Sequence, residues 1–178
     1  MHPWHDVAVD PASIADSFPA VIEVPMGSKN KYELDQPTGL LRLDRVLHSA
    51  VYYPANYGFV PQTLSDDGDP LDVLVLGREP IEPLTIVSAR AIGLMRMQDE
   101  KGADDKILAI NIGDPAVADY THFHELPPHI IRAIQRFFQD YKVLEGKEVV
   151  VEQPLERDEG LKVIQEALNL YRLTCRRP

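Results

Sequence analysis

Between residues 20 and 151 the apolar positions fall in short runs, several of them alternating with polar residues, and Gly, Pro and Asp separate one run from the next. Short runs bounded by turn residues are the pattern of β-strands. They predict strands over 20–24, 40–46, 72–76, 84–97, 106–112 and 147–151. The period changes near residue 127. Pro127 and Pro128 supply a helix start, and Ile130, Ile131, Ile134, Phe137, Phe138 and Tyr141 then recur at helical spacing until Gly146. Leu161, Ile164, Leu168 and Tyr171 repeat that spacing in a second helix. The stretch Tyr53-Pro54-Ala55-Asn56-Tyr57-Gly58 reads as a rigid turn burying two rings, and 98–106 as a polar hairpin loop holding one glycine. Many strands followed by two helices predict an α+β chain with a mainly β core, a small mixed or open barrel with helices packed outside it. No repeat, low-complexity tract or linker breaks the pattern, so a single domain over 1–178 is expected.

Composition adds limits. The 44% apolar and 26% charged content suits a soluble globular chain. A formal charge of −10 argues against general affinity for nucleic acid or anionic membranes, because phosphate backbones need basic surface. Arg172, Arg176 and Arg177 are too few to alter that. An anionic substrate stays possible, provided that the cations binding it are local. Cys175 is the only cysteine, so an intrachain disulfide is excluded and an inert thiol is expected. The opening residues lack a basic start followed by an apolar stretch, and no run approaches the roughly 20 apolar residues needed to span a bilayer. A cytoplasmic location is the expectation.

The densest chemistry is Asp66-Asp67-Gly68-Asp69-Pro70-Leu71-Asp72, four carboxylates directly before the apolar Val73-Leu74-Val75-Leu76. Carboxylates crowded together oppose one another's ionisation, and a hard divalent cation with oxygen ligands removes the conflict. An exposed turn before a strand has the same composition. The order of residues favours the metal: Pro70 biases Asp69 towards an extended conformation, and a strand from Asp72 fixes that carboxylate at its mouth. An EF-hand loop does not fit, since counting from Asp67 puts Asp72 where glycine is required and Arg78 where glutamate is. His122 and His124 have no third ligand at zinc-like spacing, and a loop near a helix start accounts for them. If Lys31-Tyr32-Glu33 is extended, Lys31 and Glu33 share a face.

The heptad Asp67-Gly68-Asp69-Pro70-Leu71-Asp72-Val73 resembles the signature of the family I soluble inorganic pyrophosphatases, bacterial type. Val21-Ile22-Glu23-Val24-Pro25, Lys31-Tyr32-Glu33, Asp44-Arg45, Tyr53 to Gly58, Asp99-Glu100 and Asp104-Asp105-Lys106 resemble that family's active-site blocks in the same order. Phe137-Phe138, Tyr141-Lys142 and Leu144 resemble its late helix. The likeness runs from about Val21 to Val150; the residues before Phe18 and after Glu156 do not carry it. It implies a five-stranded OB-like β-barrel flanked by two main α-helices, and Mg²⁺-dependent hydrolysis of inorganic pyrophosphate to two orthophosphates. A metal-activated water would attack one phosphoryl group in line, with Asp69 as general base. Asp67, Asp72 and Asp104 are the implied ligands of one ion, with Asp72 shared by a second. Asp99 and Asp104 would hold a further ion, and Glu33 would support another through water. Lys31, Arg45, Tyr57, Lys106, Tyr141 and Lys142 would position and neutralise the phosphoryl groups, with Glu23 behind the ligands. Mn²⁺ and Zn²⁺ are the expected substitutes for Mg²⁺, and a homo-hexamer is the assembly that the resemblance suggests.

Two other classes fit part of the chain. A structural metal-binding module explains the acidic heptad and leaves Lys31, Arg45, Tyr57 and Lys142 without a task. A hydrolase for nucleotides or other phosphoesters would ordinarily bring a base or sugar pocket, and neither G-x-x-x-x-G-K-[ST] nor G-x-G-x-x-G occurs.

Overall fold

Strand β1 (Phe18–Val24) is the seam of the molecule. In this computed structural model, which describes residues 1–175 and leaves Arg176 and Arg177 outside the described residues, β1 pairs on both sides. On one side it runs antiparallel to β4 (Asn56–Phe59), with Val21 opposite Phe59 and Ile22 opposite Gly58. On the other it runs antiparallel to β6 (Ile86–Asp99), from Phe18 opposite Ala89 to Val21 opposite Ile86. Strand β5 (Asp72–Leu76) lies antiparallel to β4 and parallel to β7 (Gly102–Asn111), and β7 returns along β6. The circuit β1-β4-β5-β7-β6-β1 is therefore closed, a five-stranded OB-like barrel. Two α-helices, α1 (Pro128–Asp140) and α2 (Arg157–Cys175), flank it. A separate hairpin of β2 (Asn30–Leu34) and β3 (Leu41–Val46) stands beside it, and the short β8 (Val150–Val151) extends β6.

Alternation decides which residues meet which helix. In β5 and β7, Leu74, Leu76, Leu108 and Ile110 pack with Ile131, Ile134, Phe137 and Phe138 of α1. Val73, Val75, Ile107 and Ala109 face the other way and pack with Ile164 and Leu168 of α2. A strand covered on both faces reads as an unbroken apolar run, as Val73-Leu74-Val75-Leu76 does. Gly58 and Gly160 are close approaches: a Cβ at Gly58 would lie 1.9 Å from the Val21 carbonyl oxygen, and one at Gly160 would lie 2.9 Å from that of Gly93.

The structure departs from the sequence reading at particular places. The polar loop over 98–106 is mostly strand, because β6 and β7 stay paired out to Asp99 opposite Gly102, leaving Glu100 and Lys101 as the turn. The supposed rigid turn over 53–58 contains the start of β4, which is fully buried; four residues with a central glycine give no alternating pattern. Lys31-Tyr32-Glu33 is extended, within β2, in agreement with the sequence reading. The run at 84–97 begins two residues later, since Leu84 has a φ of 63°. The strand at 147–151 contracts to Val150–Val151. Residues 1–17, which gave no sequence signal, lie against the barrel. Trp4 is buried and its Nε1 donates to the Thr63 carbonyl oxygen at 2.8 Å, with Tyr171 of α2 nearby. Among the described residues no helix is long and apolar enough to cross a membrane.

Candidate active site

An open basin of about 320 Å³ is bounded by the β2–β3 hairpin, the acidic turn before β5, the β6–β7 turn and the end of α1. Lys106 is its buried centre. Parallel pairing sets Lys106 opposite Asp72, and strand alternation puts Asp104 on the same face. The Lys106 Nζ donates to Asp72 Oδ2 at 2.7 Å, Asp104 Oδ2 at 3.0 Å and the Tyr57 hydroxyl at 2.8 Å. Burial alone would lower the pKa of this ammonium, but Asp72 and Asp104 outweigh it and hold it well above the ordinary value. Burial, then Asp72 and Asp104, push the Tyr57 phenol well above its ordinary range, so it keeps its proton.

The acidic turn is shaped by its own side chains. The Asp69 amide donates to Asp67 Oδ1 at 3.0 Å, and Gly68 has a φ of 91°. Burial, with Asp67, Glu33 and Asp72 adding to it, raises the Asp69 carboxyl. One of its oxygens, Oδ1, accepts from Gln36 Nε2 at 2.6 Å. Beneath the turn, Glu23 is buried on β1 and accepts from the Leu34 amide at 2.7 Å; burial first, and Asp72 second, raise it to about 8.

The basic groups of the basin are interleaved with its acids. Lys31 Nζ bridges Glu33 Oε2 at 3.0 Å and Asp44 Oδ2 at 2.9 Å. Arg45 Nη1 donates to Glu145 Oε1 at 2.7 Å, and the guanidinium sits 5.9 Å from the Tyr141 ring centroid. Arg45 Nε and Glu145 Oε2 are buried without a hydrogen-bond partner. Lys142 Nζ donates to Asp99 Oδ2 at 3.0 Å, drawing that carboxyl below its ordinary value against the upward push of burial.

All thirteen candidate residues line this one basin: Glu23, Lys31, Glu33, Arg45, Tyr57, Asp67, Asp69, Asp72, Asp99, Asp104, Lys106, Tyr141 and Lys142. Gln36, Asp44, Lys101 and Lys147 line it too and were not singled out. Asp44 had a signal, standing beside Arg45 in a quoted block; Gln36 and Lys147 had none. His122 and His124 stack at 5.3 Å between ring centroids and lie apart from the basin.

The charge balance bears on a metal. Nine carboxylates and six cationic side chains line the basin, so a surplus of negative charge confronts any anion that enters. Among the described residues no three His, Cys, Asp or Glu groups converge on one point, since lysines separate the carboxylates. The donor set is nevertheless what a hard cation requires: carboxylate oxygens, with Asp69 and Glu23 raised by crowding and burial. Divalent cations would relieve that repulsion and reverse the sign that an anion meets.

The inorganic pyrophosphatase family model matches residues 20–172, so the likeness extends past Val150 into α2. A soluble inorganic pyrophosphatase of Chlamydomonas reinhardtii is 52% identical over 171 residues, covering 96% of this chain and 88% of that protein. One from Arabidopsis thaliana is 50% identical over 170 residues, covering 96% and 80%. Among solved structures, the inorganic pyrophosphatase of Helicobacter pylori superposes with a TM-score of 0.88 at 41% identity, covering 94% of this chain and 98% of that one. That of Thermus thermophilus gives 0.85 at 41% identity, covering 88% and 92%.

Proposed function

The chain belongs to the soluble inorganic pyrophosphatases of family I and hydrolyses inorganic pyrophosphate to two orthophosphates, and we propose that the carboxylates of the basin hold the divalent cations while its basic groups hold the anion. The observation that carries this division is the meeting of all thirteen candidates in one basin with a surplus of carboxylates. The family depends on metal; Mg²⁺ is the ion we propose, several per site, with Mn²⁺ or Zn²⁺ as substitutes. Asp67, Asp72 and Asp104 would hold one ion, Asp72 being shared with a second. Asp99 and Asp104 would hold another, and Glu33 would support one through water. Bound there, the ions would acidify water and neutralise phosphate oxygens.

The remaining work falls to the protein. Asp69, raised by burial and by its acidic neighbours, takes the proton of the attacking water. Tyr57 keeps its proton and offers it to a phosphate oxygen, while its own oxygen accepts from Lys106. Lys31, Arg45, Lys106, Tyr141 and Lys142 receive the two phosphoryl groups, Arg45 through a planar fork suited to them. Lys31, Arg45, Lys106 and Lys142 are each paired with a carboxylate. Substrate oxygens would replace those carboxylate partners as the cations free them. In phosphoryl transfer positioning and charge stabilisation supply most of the rate, which suits a site this dense in charge. A single domain over 1–178, supported by its length and unbroken pattern, a cytoplasmic location, supported by the character of its opening residues, and homo-hexameric assembly, supported by the family resemblance, belong to the same proposal.

The test is orthophosphate release from pyrophosphate with Mg²⁺ and then with chelator in excess. Release that chelator abolishes and Mg²⁺ restores is the expected result. Folded protein that releases nothing with Mg²⁺ or Mn²⁺, or that prefers a nucleoside triphosphate, would overturn the reading.

A further inference from the structure

We infer that Gln36 is a positioning residue for Asp69, and that the first residues of the chain form a strap holding Gln36 in place. The inference rests on Asp69 being the general base. Gln36 lies in the turn joining β2 to β3, 33 positions from Asp69, and reaches the acidic turn only through the fold. Its amide nitrogen donates to Asp69 Oδ1 at 2.6 Å and lies 3.3 Å from the Gly68 carbonyl oxygen, so one group grips both a side chain and the backbone beside it. With Oδ1 engaged, the second oxygen of Asp69 is the one left to accept a proton. The donor is a neutral amide. An ammonium in its place would stabilise the carboxylate and make it a weaker base, whereas an amide fixes the rotamer at smaller cost in basicity.

The strap supplies the support. His2 Nε2 lies 2.8 Å from the Gln36 carbonyl oxygen, and its Nδ1 accepts from the Trp4 amide at 3.3 Å. Both contacts are satisfied by one tautomer, with the proton on Nε2. The His2 ring and Pro3 fill the space beside Gly39, where a Cβ would meet them at 3.0 and 3.2 Å. Trp4 anchors the other end through its bond to Thr63, and the Thr63 hydroxyl accepts from the Leu71 amide at 2.9 Å. The acidic turn is thus braced from both flanks, by His2 through Gln36 and by Trp4 through Thr63. A segment without any sequence signature thereby touches the chemistry at one remove.

The test is a double-mutant cycle of Gln36→Met and Asp69→Asn with His2→Leu alongside, measuring kcat, KM for pyrophosphate with saturating Mg²⁺, and Tm. Gln36→Met is expected to lower kcat about tenfold at unchanged KM and Tm, the size of one lost charge-assisted hydrogen bond expressed as rate. In the Asp69→Asn background it should do nothing further, and His2→Leu should lower kcat in the same direction by less. If Asp69→Asn keeps wild-type turnover, the base assignment fails and the inference falls with it. If Asp69→Asn is inactive while Gln36→Met keeps its kcat, or the two losses multiply, or Gln36→Met moves KM and Tm instead, the base stands and the inference is overturned. Wild-type kcat in His2→Leu removes the strap from it.

Discussion

Replacing Lys106 by Met separates the metal assignment from catalysis. The variant keeps an unbranched stem of similar length against Tyr57 and Phe138, whose ring centroids lie 5.1 and 5.5 Å from the ammonium. It removes the cation that two carboxylates share. The Lys106 side chain is 3% exposed, and those of Asp72 and Asp104 are 28% and 24% exposed. Removing one partner of a buried pair costs about 3–5 kcal/mol, and the residual exposure of the two acids argues for the lower end, about 3 kcal/mol. For a chain of this size each kcal/mol lowers Tm by about 2–4 °C. In chelator, Lys106→Met should therefore melt roughly 6–12 °C below wild type. Added Mg²⁺ should recover most of this, because the freed carboxylates gain a hard cation in place of the ammonium. Mg²⁺ at about a hundred times its Kd contributes about 2.7 kcal/mol to the folded state. Differential scanning calorimetry with and without Mg²⁺ reads both effects without any assay of turnover. If Lys106→Met melts with wild type in chelator, the ammonium does not hold the two carboxylates as described, and if Mg²⁺ raises both proteins equally, Asp72 and Asp104 do not share the ion assigned to them.

Two further outcomes are expected. Glu23, raised by burial and by Asp72 from 4.5 to about 8, keeps a proton in the folded chain that the unfolded chain releases, so stability in chelator should fall as pH rises between those values. Glu23→Gln cannot titrate and keeps an acceptor for the Leu34 amide; denaturant melts should show a flatter pH dependence and an advantage of about 2–5 kcal/mol over wild type near pH 8, and parallel curves would refute the raised value. Gly58→Ala places a Cβ against the Val21 backbone, which cannot move without opening the β1–β4 pairing, so a loss above about 4 kcal/mol is expected. A soluble variant that melts within a few degrees of wild type would show that the strands can separate there.

How legible the molecule was depended on whether a relation is local. Strand β5 and helix α1 announce themselves, because burial on two faces makes a continuous apolar run and burial on one makes a 3.6-residue period. Strand β4 does not, having only four residues with Gly58 chosen for space. The segment 98–106 reads as a loop because its residues are polar and charged, and nothing local shows that it is paired strand, from which Asp104 and Lys106 line the basin. The thirteen site residues were found through ordered blocks rather than through geometry, and nothing local says that Lys106 links Asp72, Asp104 and Tyr57. Gln36 was invisible for the same reason: its partner lies 33 positions away, and a turn glutamine has no pattern of its own. Glu145, which receives Arg45 across 100 positions, is a further case.

The double pairing of β1 also sets a timetable. Its second partner begins at Ile86, and the site draws on residues from Glu23 on β1 to Lys142 beyond α1. A chain emerging from the ribosome can form the β2–β3 hairpin early, yet it cannot close the barrel until β6 is available. Contacts so distant in sequence slow folding, because loop entropy is lost before pairing repays it. Until closure, β1 and β6 each present an open edge to other chains. A chain that ends before α1 lacks Tyr141 and Lys142, so recovery of turnover after dilution from denaturant reports a late event of assembly, after the sealing of the seam.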